Sequence, residues 1–155
     1  MAFTDSSGRH FTRTAGDTES CVTRDQNSQV QNILTQDHCV SAIVADYLSN
    51  DGAVLISVKV IGLANAQTAT NTHGALSGIH AGDMGFDCPQ SGPGADICQE
   101  PQLYSQAVKY SWDGSDHRYL VEAAAVYTNL SQDQTAVGGL NAASYEAMVS
   151  AGPQP

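Results

Sequence analysis

The chain has 155 residues, 41% apolar and only 14% charged, with 16 Asp+Glu against 6 Lys+Arg and a formal net charge of −10. That length suits one hydrophobic core. The acid excess argues against nucleic acid and anionic membrane surfaces as partners, since both call for a basic face, and no apolar run approaches the roughly 20 residues that span a bilayer.

Residues 1–20 are polar, with Thr, Ser, Gly and scattered charge and no period, which predicts a flexible N-terminal arm. Thr23-Arg24-Asp25-Gln26 fits a capping box, and Val30, Ile33 and Leu34 follow at helical spacing, so a helix is expected over 24–36. Val40 to Leu48 is apolar on both sides and reads as a central strand. Ser49-Asn50-Asp51-Gly52 then turns the chain into a strand over 53–61, where Val54, Ile56, Val58 and Val60 alternate with Leu55, Ser57, Lys59 and Ile61. Lys59 is expected toward solvent or the less buried side. Leu63 to Leu76 is Ala-rich and reads as a helix. Residues 77–102 are irregular.

Leu103 to Trp112 reads as a strand, Asp113-Gly114-Ser115-Asp116 as its turn, and Arg118 to Thr128 as a returning strand. Ser131-Gln132-Asp133-Gln134 is a second capping box, and Val137, Leu140, Ser144, Ala147 and Met148 form a helical stripe to about residue 150. The expected architecture is α+β: an antiparallel sheet of about four strands built from two β-hairpin–helix units, with helices mainly on one face and two disulfides. Residues 21–152 form the single domain and 153–155 a tail. The other sheet face is then solvated or used for binding.

Four cysteines, none in C-x-x-C, speak for disulfides and an oxidising compartment. Cys88 and Cys98 bracket a loop with two Pro and two Gly that has little to bury, and Cys21 and Cys39 flank the first helix. Four cysteines allow three pairings, and sequence does not choose among them. Free thiols are the rival account, whereas zinc-knuckle spacing is absent. Met1-Ala2-Phe3-Thr4 does not open an export signal, so an extracytoplasmic placement implies a signal or membrane anchor beyond the given chain.

Cys39-Val40-Ser41-Ala42-Ile43-Val44-Ala45 leading to Ile61-Gly62-Leu63, together with Arg118-Tyr119-Leu120-Val121, resembles extracytoplasmic domains of small, uncharacterised actinobacterial single-pass membrane or secreted proteins. The resemblance implies a location, secreted or membrane-tethered, and no reaction.

His73, His80, Asp83 and Asp87 crowd one stretch, but a polar surface loop is the simpler account, and no metal, cofactor or catalytic constellation is expected. Glu122 and Asp46 interrupt apolar strands, where a buried carboxylate is costly. They are expected on a solvated face, with Lys59, Lys109 and Arg118 as cross-strand partners; lining a pocket is the sharper alternative. Tyr110, Trp112, Tyr119 and Tyr127 lie on neighbouring strands and, with Glu122, make a candidate ligand platform if they face outward; core under a helix is the simpler account. Gly138-Gly139 would let a helix pack closely, including in a homodimer. The expected role is a non-catalytic binding or interaction domain for a protein or small polar ligand. A secreted hydrolase using carboxylate or His groups and a small-ligand carrier with a sheet–helix cavity are the alternatives.

Overall fold

The computed structural model describes residues 1–151. In chain order the elements are β1 (Ala2–Thr4), β2 (His10–Glu19), α1 (Ser28–Gln36), β3 (Ser41–Ser49), β4 (Val54–Gly62), α2 (Ala66–Ala75), α3 (Pro101–Gln106), β5 (Lys109–Asp116), β6 (Tyr119–Tyr127) and α4 (Val137–Ala151), with single 3₁₀ turns at Ile97–Gln99 and Gln134–Ala136. The strands form one antiparallel sheet in the order β1-β2-β3-β4-β6-β5. The fold is α+β, as expected, but the sheet has six strands rather than about four.

The two extra strands come from residues 1–20, expected as a flexible arm. Phe3 and Phe11 explain the difference. They stack with ring centroids 5.1 Å apart and sit beside Tyr47 in the core, and burying two such rings favours order by roughly 3 kcal/mol or more. The rest of β2 is exposed or half-buried, which hides it from a periodicity search.

β3 and β4 fall where the sequence places them, and β3 is central, between β2 and β4. The first helix begins later than expected. Asn27 is its N-cap, accepting from Val30 N at 2.9 Å, while Gln26 Oε1 accepts from Thr23 N in the preceding turn. Residues 103–106, expected as the start of a strand, belong instead to a helix over 101–106, because Pro101 is preset for a first helical turn. Asp113-Gly114 lies inside β5, opposite Glu122 and Val121, and the hairpin closes instead at His117-Arg118, with His117 at φ 50°. Gly114 serves packing, since a Cβ there would meet Met148 Sδ of α4 at 3.4 Å.

The two hairpins pair through β4 and β6. Their helices go to opposite faces, so the repeat is one of element order only. α4 covers Val54, Ile56, Val58, Val121, Ala123 and Ala125 with Leu140, Ala143 and Ala147. α1 and α2 cover Ala42, Ile61 and Leu120 on the other face, and the segment 77–100 continues that cover over Leu55, Ala124 and Val126 with Phe86 and Ile97. Helices therefore lie on both faces rather than mainly on one, and both faces of the sheet are covered. The residues 153–155, read as a tail, lie outside the described residues.

Two disulfides join Cys21 to Cys39 and Cys88 to Cys98, which indicates an oxidising, extracytoplasmic environment. Among the described residues no helix is long and apolar enough to cross a membrane.

Candidate functional site

Side chains alternate along a strand, so even-numbered residues of β3 and β6 and odd-numbered residues of β4 share the face under the 77–100 segment. On that face lie Asp46, Ser57, Lys59 and Glu122, all buried. β2 joins them through a bulge between Arg13 and Ala15. Before the bulge Phe11 faces the α4 core; after it the phase is inverted and Glu19 faces Lys59.

Lys59, expected near solvent, is enclosed. Its Nζ donates to Met84 O at 3.1 Å and pairs with Glu19 Oε1 at 3.1 Å. Glu122 is its cross-strand neighbour in register, yet the ammonium is spent on Glu19 and the covering loop. Glu122 is 3% exposed. Burial pushes its carboxyl up to about 8; Lys59 opposes the rise, while Asp113 and Asp83 add to it. Asp113 in turn holds His73, with Oδ2 2.8 Å from Nε2.

Asp46 is fully enclosed, and neither of its oxygens accepts a bond from a donor among the described residues. Its neighbour is Asp87, from the covering segment. Burial first, then Asp87, pushes Asp46 up to about 7. Asp87 is held by its own backbone, whose N–H donates to Ser57 Oγ at 3.0 Å. The solvated face expected for Asp46 and Glu122 is thus a buried polar layer between sheet and cover.

The rim of this layer is a cleft of ≈ 350 Å³, lined by Asp25, Gly82, Phe86, Ile97, Pro101 and Tyr104 beside the Cys88–Cys98 bridge. Phe86 and Tyr104 form its aromatic wall, centroids 5.2 Å apart. Asp25 Oδ2 accepts from Phe86 N at 3.0 Å and fixes that wall, while Asp25 itself stays exposed. Tyr104 Oη is buried without a partner. Burial, then the charges of Glu122, Asp25 and Asp83, hold its phenol protonated well above the ordinary range. Tyr104 also lines an adjoining cleft of ≈ 560 Å³ with His80, Asp83 and Lys109. There Lys109 Nζ lies 4.8 Å from the ring centroid and donates to Tyr104 O, Ser105 O and Ala107 O, capping α3.

The five candidate ligand residues are not brought together. Tyr110, Trp112, Tyr119 and Tyr127 share the α4 side, and Glu122 lies on the opposite one. Trp112 Nε1 donates to Asn141 Oδ1 at 2.6 Å, and its ring meets Tyr145 edge-on at 5.4 Å. Tyr127 Oη donates to Ala136 O at 2.8 Å. These aromatics anchor α4. His80 faces Asp83 at 3.6 Å and His73 is taken by Asp113, so the histidine–aspartate stretch is split; among the described residues no group of three could hold a metal ion. The sequence does not point to Phe86 or Tyr104, and it offers Asp25 only within a capping box and Asp87 only within the histidine–aspartate stretch; the one local sign of the site is the Pro- and Gly-rich stapled loop they border.

Comparison with known proteins returns no match to any protein family, curated protein or solved structure.

Proposed function

We propose that this chain is an extracytoplasmic binding domain, secreted or tethered to a membrane by a segment beyond it, that holds a small polar ligand at the stapled face and performs no chemistry on it. The observation that carries this reading is the cleft beside the Cys88–Cys98 bridge, with its fixed aromatic wall and the buried, partnerless Tyr104 hydroxyl. A small apolar pocket with a few convergent polar groups is the usual form of a ligand seat. The disulfides support the compartment.

A hydrolase reading has one observation in its favour: the carboxyls of Asp46 and Glu122 are raised to about 7 and about 8, near the optimum for acid–base work. It needs the cover to lift, because Asp46 is 0% exposed. The binding reading needs no such motion.

Equilibrium dialysis of the disulfide-bonded protein against a mixed small-molecule pool, read by mass spectrometry, tests the proposal. The expected result is enrichment of compounds recovered unchanged, lost in Phe86→Ala at a temperature where that variant is folded. No enrichment, or conversion of the retained compounds, overturns it.

A further inference from the structure

Three observations converge on the chemistry this cleft selects. The first is the field. Asp25 is exposed on its rim, and Asp83 lines the adjoining cleft beside the same tyrosine. The chain as a whole carries −10, so nothing distant cancels this local sign. The second is the wall. The rings of Phe86 and Tyr104 present π faces, and the Tyr104 ring already receives one cation, Lys109, which lines only the adjoining cleft. With Lys109 already at the Tyr104 ring, Phe86 is the ring of this wall that an incoming ammonium meets. The third is the hydroxyl. Tyr104 Oη is a protonated donor with no acceptor, and leaving such a group dry and unpaired is unfavourable. Gly82 keeps space at that oxygen: its φ is +95°, and a Cβ there would lie 2.9 Å from Oη.

Building on the binding reading above, we infer that the cleft beside the Cys88–Cys98 bridge takes a small organic ammonium ion bearing a hydrogen-bond acceptor. The cation lies against the Phe86–Tyr104 wall with Asp25 as its counter-charge, and the acceptor receives the Tyr104 hydroxyl proton. An anion is repelled by the Asp25 and Asp83 carboxylates. An uncharged ligand of equal shape forfeits both the ring and the carboxylate attraction.

Choline, which carries a quaternary ammonium and a hydroxyl, is the probe, and dimethylbutanol, its uncharged carbon isostere, is the control. Binding is followed by amide and side-chain shifts in NMR titrations of the intact, disulfide-bonded protein. Choline is expected to shift Gly82, Phe86, Ile97 and Tyr104, with dimethylbutanol weaker by roughly tenfold and added salt weakening choline alone. Asp25→Asn keeps an oxygen for Phe86 N–H but removes the charge, and should weaken choline roughly fivefold. Tyr104→Phe deletes a hydroxyl that has no partner, so the fold is kept or gains stability while choline weakens by a similar factor. Equal responses to choline and dimethylbutanol, or full affinity in Asp25→Asn, overturn the cation assignment and leave the binding domain standing. Absence of cleft shifts with choline overturns the assignment too; the dialysis result then decides separately whether the binding reading survives.

Discussion

The two faces of the sheet are buried by opposite means. Under α4, the face is dominated by apolar side chains, from Phe11 to Ala125, and one helix seals it with Leu140, Ala143 and Ala147. Under the 77–100 segment, the strands carry Asp46, Ser57, Lys59 and Glu122, and the cover is irregular chain pinned by a disulfide. An apolar face is held by burial alone, which is non-directional and tolerant. A polar face asks more of its cover, which must supply atoms at set positions: the Met84 carbonyl for Lys59, and Phe86 N–H for the Asp25 carboxylate that fixes the wall. The staple and Gly94, which presses onto Leu55 at φ +88°, hold that cover in place. The side with more to satisfy is also the side with the cleft.

Removing the staple should separate the faces most clearly. Cys88→Ser with Cys98→Ser opens a loop of sequence separation 10, and chain entropy predicts a loss of roughly 3 kcal/mol. Hydrogen exchange should quicken over 82–100 while amides of α4 and β4 stay protected. Equal quickening on both faces would show one cooperative unit and end the contrast. Next in size is Lys59→Met, which strips Glu19 of its cation and the Met84 carbonyl of its donor. Since Glu19 is partly solvated, we expect a loss of roughly 2 kcal/mol in urea melts at neutral pH.

The polar face should also make stability fall with rising pH. Asp46 and Glu122 are raised in the folded protein, to about 7 and about 8, from 3.8 and 4.5. The native state therefore holds more protons than the unfolded chain between those limits. Their contribution is complete below about pH 4 and is lost as pH climbs through about 7 to 8, by up to about 1.4 kcal/mol per pH unit for each proton. Asp46→Asn and Glu122→Gln should each flatten the slope of melting temperature against pH over that window. A slope unchanged in both variants would show that neither carboxyl is the source.

What the sequence shows and hides follows the same division. Val54, Ile56, Val58 and Val60 alternate because one side of β4 meets only carbon, and a period of 2 is legible without knowing the partner. β2 is flanked on its outer side only by the three-residue β1, has one deeply buried ring, Phe11, and has no period to read. Asp46 and Glu122 stand out as carboxylates in apolar runs, but whether they meet water depends on a segment some 40 residues from either. Asp25 reaches Phe86 across 61 positions. No local pattern encodes such a meeting, nor does the hydroxyl of Tyr104 announce that it lacks a partner. The Asp113-Gly114 pair misleads for a related reason: glycine serves both turns and close helix approach, and here α4 claims it.

The smallest effect tests how tightly the apolar face is fitted. Gly138 and Gly139 are adjacent in the first turn of α4, and intrinsic propensity favours alanine at either by up to about 1 kcal/mol. Their surroundings differ. A Cβ at Gly138 meets nothing within 4 Å, whereas one at Gly139 lies 2.9 Å from Tyr127 Oη, which is itself tied to Ala136 O. Gly138→Ala should therefore raise stability by several tenths of a kcal/mol. Gly139→Ala should lower it, because Tyr127 must give up its bond or α4 must move off β6. Thermal melts of the two variants with Gly139→Ala/Tyr127→Phe as a third resolve the cause: without the hydroxyl, the alanine at 139 should recover its helical advantage. If Gly139→Ala alone is stabilising, the α4 face has slack, and tight fit is not what distinguishes it from the stapled side.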